Sequence, residues 1–350
     1  MRLDDRNRFS LNDRKSCGKE STVATAKDVA LRAGTSTAVV SYVFNNGPRN
    51  VSEPTKQRVL RAAESLNYKP NALARALSAG KTSSIGLIVP NICNPWFAEL
   101  ARAIEEVATL RGHLLLIGDS AMLQSQERGH VRSFIERQVD SVIMVSLLDE
   151  PELDALEQAG IPVVVLHPIP DEDQASTLTI DFVAAAQTAT AHLIEHGYET
   201  IGLLNGPADS AGSRQHREGF LRALAGTGMR IDERSSEISR GSAAELTRDW
   251  LRSDERPRAI YAATDEQAFG VLFAAYSVGL TVPDDLAVVG FDGTANCEFS
   301  IPPLTSVQQP TARIAERAVE LLIGRHQDDV PVHESLPYSF VTRGSCGCDD

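Results

Sequence analysis

Between residues 28 and 66, apolar positions recur every three or four residues. Val29, Ala30 and Ala33 give one small apolar face to a helix predicted over 28–33, and Val39, Val40 and Val43 give a stripe to a second over 37–45. Gly34 can adopt φ > 0 and so ends the first helix at little cost, while Ser36 is placed to cap the second. A third helix follows, with Ser52 as its cap, Pro54 in its first turn, and Val59, Leu60, Ala63 and Leu66 as its buried face. Three short helices with an early tight turn fit a helix-turn-helix, whose second helix lies in the DNA major groove. The same pattern also fits an ordinary three-helix bundle that binds a protein or merely packs.

After residue 84 the period changes. Continuous apolar runs at 85–90, 113–119, 141–146 and 163–167 alternate with helical segments, and the alternation restarts after Ile180 with runs at 201–206, 259–265 and 286–292. Buried apolar strands separated by helices predict parallel sheets covered on both faces, and two rounds of the alternation predict two similar lobes.

Charge sharpens the division. The 350-residue chain carries a formal net charge of −13, yet residues 1–81 hold 15 Lys and Arg against 7 Asp and Glu, a net of +8. The remaining residues hold 19 basic and 40 acidic side chains, a net of −21, with no lysine after Lys81. A basic head on an acidic body is the footprint of a nucleic-acid-binding module joined to something else. Residues 1–22 are polar, contain no apolar core of a signal peptide, and read as a disordered tail. No run approaches the roughly 20 apolar residues that cross a bilayer, so no membrane partner is expected. Five scattered cysteines suggest reduced thiols in a cytoplasmic protein.

The stretches AKDVALRAGTSTAVVSYVFNN and VSEPTKQRVLRAAESLNYKPNALARALSAGKTSSIGLIVP resemble the lactose-repressor/galactose-repressor family of bacterial transcription regulators. The resemblance runs from about Thr25 to Arg343. It implies an N-terminal all-α helix-turn-helix domain over 23–70 and a hinge within 71–82, whose short helix is Asn71–Leu77. Residues 83–345 would form an α/β periplasmic-binding-protein-like domain of two doubly wound parallel-sheet lobes. The first lobe would take about 83–180 and 308–339, the second about 181–306 and 340–345, with crossovers near 180–181, 306–309 and 338–341.

The resemblance also implies a homodimer on a palindromic double-stranded operator, with the hinge helices in the minor groove and Leu77 as an apolar wedge at the central step. Thr37, Ala38 and Tyr42 occupy the base-reading positions, where many relatives carry a polar pair and an arginine. Thr and Ala offer a thymine methyl contact rather than the bidentate pairing of Arg with guanine. Arg49, in the loop NGPRN, is expected on a phosphate.

In the body, ligand is expected at the carboxyl ends of the strands. Trp96 and Phe97 follow the first strand and can stack on the apolar face of a sugar or base, or simply pack on a helix. By the resemblance, Arg214 matches a cleft-wall arginine and Asp292 a position that accepts hydrogen bonds from ligand hydroxyl or N–H groups. His167 and His216 stand where sugar-binding relatives often have aspartate and a second arginine. Asp265 ends a strand, where it can reach ligand or cap the next helix.

The implied function is a repressor whose operator affinity is set by a small-molecule effector, a sugar or sugar derivative in class. Control by a partner protein is the alternative, and a solute-binding protein a third. An enzyme is disfavoured: the first strand lacks GxGxxG, and neither a Walker loop nor GxSxG occurs. No cofactor is expected. Nor is a metal, because the histidines show no HExxH and Cys346-x-Cys348 has no His or Cys partner close by in sequence.

Overall fold

The computed structural model describes residues 24–45, 49–69, 81–146, 148, 151–167, 169, 174–208, 210–324 and 329–348. By contact the chain divides into two units, one within Met1–Gly80 and one within Lys81–Asp350.

The first unit holds α1 (Ala26–Ala33), α2 (Thr37–Asn45) and α3 (Glu53–Ser65). Helix α1 starts two residues earlier than its apolar pattern predicts. Thr25 and Asp28 form a reciprocal capping box there: Thr25 Oγ1 accepts from Asp28 N, and Asp28 Oδ2 accepts from Thr25 N at 2.9 Å. Gly34 closes α1 in the left-handed region, and Ser36 Oγ caps α2 by accepting from Val39 N at 3.3 Å. Val29, Ala30, Ala33, Val40, Val59, Ala62 and Ala63 form the core. Two expectations for α3 fail. Leu60 is exposed and Ala62 takes its place in the core. Ser52 sits at the N-cap, but its hydroxyl bonds Thr55 Oγ1 rather than a backbone amide. Small residues suffice because Ala at the crossings lets three short helices approach closely.

The second unit is built on two six-stranded sheets. The first runs β2 (Leu114–Asp119), β1 (Ser84–Val89), β3 (Ser141–Met144), β4 (Val163–Val165), β5 (Ser176–Ile180) and β11 (His333–Leu336), all parallel. The second runs β7 (Asp232–Ser235), β6 (Ile201–Asn205), β8 (Ala259–Ala262), β9 (Ala287–Asp292), β10 (Thr305–Gln308) and β12 (Ser339–Val341), parallel except for β12. The strand order is the same in both lobes, as the repeated apolar pattern anticipates. The chain crosses between sheets after β5, after β10 and between β11 and β12.

Helices α4 (Pro95–Leu110) and α11 (Thr311–Leu322) cover one face of the first sheet, and α5 (Gln124–Glu136) and α6 (Asp154–Gln158) the other. In the second lobe α7 (Phe182–Glu195) and α8 (Ala211–Leu224) cover one face, α9 (Arg240–Leu251) and α10 (Asp265–Ser277) the other. Helices α7 and α8 meet at Gly219, where an added Cβ would lie 2.3 Å from the Val183 carbonyl oxygen, so only glycine permits this approach. Among the described residues no helix is long and apolar enough to cross a membrane.

Candidate functional site

In each lobe the strand order reverses beside the first strand, between β1 and β3 and between β6 and β8. Loops leaving the carboxyl ends of such strands bracket a crevice. Here they border a cleft between the lobes, lined from the first lobe by Asn94, Trp96, Phe97 and His167. The second lobe contributes Phe182, His216, Phe291 and Asp292, and the crossover after β10 contributes Gln309.

The first-lobe wall is set by a helix start. Asn94 Oδ1 caps α4 by accepting from Trp96 N at 2.9 Å, and Pro95 fixes the first turn. Trp96 and Phe97 then pack edge to face at 5.1 Å. The buried Trp96 indole N–H has no hydrogen-bond partner among the described residues, and a buried donor of this kind calls for an acceptor.

The facing wall is an aromatic nest. Phe182 and Phe291 stack at 5.4 Å, and the His216 ring stands edge-on to both, at 5.6 and 4.5 Å. His216 Nδ1 and the Tyr261 hydroxyl are hydrogen-bonded at 2.7 Å. Burial pulls the His216 pKa down to about 3, so the imidazole is neutral at physiological pH.

Asp292 is held in place by the turn that ends β9. Its φ is +120°, a strained value for a non-glycine residue, and Gly293 follows at +70°. A Cβ on Gly293 would lie 2.4 Å from Gln308 Cα, so the turn requires glycine. Gln309 N donates to the Asp292 carbonyl, and Gln309 Nε2 donates to Asp292 Oδ1 at 2.9 Å. Burial pushes the Asp292 carboxyl well above the usual carboxylate range, and the neighbouring Asp265 carboxylate adds to the shift.

Two expected cleft residues are not among those lining it. Arg214 is exposed on α8. Asp265 is buried behind the wall and neither faces the cleft nor caps its helix; Thr264 is the N-cap of α10. Its carboxylate instead ties three segments together. Oδ2 accepts from Thr294 N (2.8 Å), Thr294 Oγ1 (3.0 Å) and Cys297 Sγ (3.1 Å), while Oδ1 accepts from Ser306 Oγ (2.6 Å). Trp96, Phe97, His167, His216 and Asp292 do line the cleft. Sequence reasoning missed Phe182, Phe291 and Gln309. Their signal was position: the first residue after a crossover, the residue before Asp292 at a strand end, and the crossover itself.

In the first unit, Thr37 and Ala38 lie exposed on the first turn of α2, Tyr42 is half-buried one turn on, and Arg49 is exposed. Val40 faces inward and anchors the helix. Asn71 and Leu77, the hinge helix 71–77 and the tail 1–22 lie outside the described residues.

Comparison with known proteins decides the family. Residues 25–71 match the model of bacterial regulatory proteins of the lacI family, and residues 190–346 match that of a periplasmic binding protein-like domain. Catabolite control protein A of Priestia megaterium is 37% identical over 305 residues, covering 85% of this chain and 91% of its own length. The chain belongs to the lacI family of bacterial regulatory proteins.

Solved structures agree with the assignment. A lac repressor dimer bound to operator and the anti-inducer ONPF matches with a TM-score of 0.81 at 26% identity, over 93% of this chain and 99% of that one. The transcriptional regulator CelR in complex with cellobiose matches at 0.69 and 27%, over 92% and 99%. Among the described residues no Lys or Arg lines the cleft. His216, being neutral, supplies no positive charge to balance a ligand phosphate or carboxylate.

Proposed function

We propose that this lacI-family regulator is a cytoplasmic, non-catalytic repressor that binds a palindromic operator as a homodimer and is controlled by a neutral polyhydroxylated effector, a sugar or sugar derivative. The observation that carries the reading is the cleft itself, with aromatic walls from both lobes and one buried carboxyl, Asp292, beside an amide. Aromatic faces suit the C–H surface of a sugar ring, and a few convergent polar groups fix its orientation. The absence of Lys and Arg from the described lining argues against a phosphorylated or carboxylated ligand, for which charge-assisted pairing with Arg or Lys is the usual solution.

The DNA-reading group in this proposal is Thr37, Ala38 and Tyr42, with Arg49 on phosphate and Asn71 and Leu77 in the hinge. The two related structures support the halves separately, one a dimer on operator DNA, the other a regulator holding cellobiose. A dimer also has surface to use, since edge strand β2 leaves Leu114 64% and Ile117 50% exposed. Effector changes the closure of the two lobes and shifts the population between operator-bound and free forms.

A thermal-shift screen of neutral mono- and disaccharides against their phosphorylated counterparts tests the effector class. A neutral sugar should stabilise the wild-type protein, and Trp96→Ala and Asp292→Asn should each diminish that shift. A shift given only by phosphorylated sugars contradicts the assignment. No shift with any sugar, beside a protein that captures the regulator in an effector-dependent way, favours the partner-controlled alternative.

A further inference from the structure

The fold joins two sequence fragments that lie about 150 residues apart. His192 and His196 are one helical turn apart at the end of α7, and Cys346 and Cys348 flank Gly347 near the end of the chain. One potential ligand atom from each of the four lies within 4.8 Å of every other. His192 Nε2 is 3.2 Å from Cys346 Sγ and 3.6 Å from Cys348 Sγ, and His196 Nε2 is 3.3 Å from Cys348 Sγ. The sequence reading left the Cys-x-Cys pair without histidine partners; the structure supplies two.

We propose that His192, His196, Cys346 and Cys348 form a tetrahedral Zn²⁺ site that fastens the C-terminal segment to the base of the second lobe. The donor set carries the choice of metal, because two thiolates and two imidazoles are the Cys₂His₂ set of structural zinc. The spacing fits as well. With Zn–S near 2.3 Å and Zn–N near 2.05 Å, tetrahedral geometry places S and N about 3.6 Å apart, close to the three distances above.

The surroundings hold the four groups in position. Thr305 Oγ1 donates to Cys346 Sγ at 3.1 Å, and the Tyr198 hydroxyl donates to the Cys346 carbonyl at 3.1 Å. Gly347 adopts φ +93°, which turns the second cysteine back towards the helix. Phe340 packs edge-on to His192 at 4.9 Å. Such outer contacts orient ligands in metal sites. The cluster is distinct from the cleft. Phe182 lines the cleft at the start of α7, His192 lies about 15 Å further along the helix axis, and Ser345 Oγ bonds the Val288 carbonyl at the amino end of β9.

The test titrates the reduced full-length protein with Co²⁺ and then Zn²⁺. The expected result is one equivalent of Co²⁺ with thiolate charge-transfer and intense tetrahedral d–d absorption, displaced stoichiometrically by Zn²⁺, with a rise in melting temperature. Cys348→Ser should weaken binding by more than the roughly 10- to 100-fold typical of losing an outer-shell partner. His196→Gln changes an exposed side chain, so it serves as the variant that leaves the fold undisturbed, and the same loss is expected. Absorption without thiolate character, affinity unchanged in His196→Gln, or a Cys346–Cys348 disulfide that forms in preference to the metal complex when Zn²⁺ is present would each overturn the site.

Discussion

His216 makes the architecture of the cleft measurable as a pH dependence of stability. The ring is enclosed by Phe182, Phe291 and Tyr261, and burial lowers its pKa from 6.5 to about 3. A histidine depressed in this way contributes stability that is fully present above pH 6.5 and is lost as pH falls towards 3, because the unfolded chain takes up the proton first. At pH 5 the unfolded ring is charged and the folded one is not. The loss relative to pH 7 is 1.36 kcal/mol for each pH unit below 6.5, or about 2 kcal/mol. For a body of this size that corresponds to about 4–8 °C in Tm.

The assay is thermal unfolding of wild type and His216→Gln at pH 7 and pH 5. The glutamine offers Tyr261 an amide and cannot be protonated, so every other titrating group contributes equally to both proteins. The wild type should lose about 4–8 °C more than the variant over this interval. Equal losses in the two proteins would refute a neutral, buried His216 and, with it, the description of the second-lobe wall.

Three further outcomes follow from particular contacts. Asp265→Ala strands the fixed Thr294 N–H, a cost of about 1–3 kcal/mol before the three side-chain donors are counted; urea unfolding should show it, with effector binding preserved. Full stability with lost effector response would instead return Asp265 to the cleft. Asp292→Asn replaces one carboxyl oxygen by an amide and so alters a hydrogen bond to the effector worth about 0.5–1.5 kcal/mol, so calorimetry with the stabilising sugar should show Kd raised about 2- to 12-fold while effector-free operator affinity is unchanged. Arg49→Ala should weaken DNA binding to a similar extent on all sequences and lower the log–log salt slope by about 1; a change confined to one base position would make Arg49 a base reader.

Much of the architecture was legible because it is written in periodicity. The shift from helical spacing to continuous apolar runs near residue 84 marks a real change of fold, and the central strands β1, β3, β6, β8 and β9 fall on the apolar runs. Strand β7 was invisible because Asp-Glu-Arg-Ser contains no apolar residue, which is tolerable only at a sheet edge. Leu60 misled because it lies at helical spacing from buried neighbours, and spacing alone does not say which side of a stripe faces the core.

In the cleft, position relative to strand ends located Trp96, Phe97 and Asp292, while His167 and His216 were reached only through the family resemblance. Asp265 shows the limit of that rule: two aspartates end adjacent strands, and only the strained turn at Asp292 and Gly293 brings one of them to the cleft. The histidine–cysteine cluster could not be read from spacing at all, since its halves meet only through the packing of the chain end on α7.

The proposed function rests on a coupling between operator reading in the head and effector occupancy in the body. It is tested most directly by recovering genomic fragments bound to the purified protein, sequencing them, and measuring affinity for the enriched site with and without the stabilising sugar. Expected is an enriched palindrome whose affinity changes when the sugar is added, with more sugar needed for the same change in Asp292→Asn. A sequence-independent fragment pool, or an enriched site whose affinity is the same with and without the sugar, would contradict it.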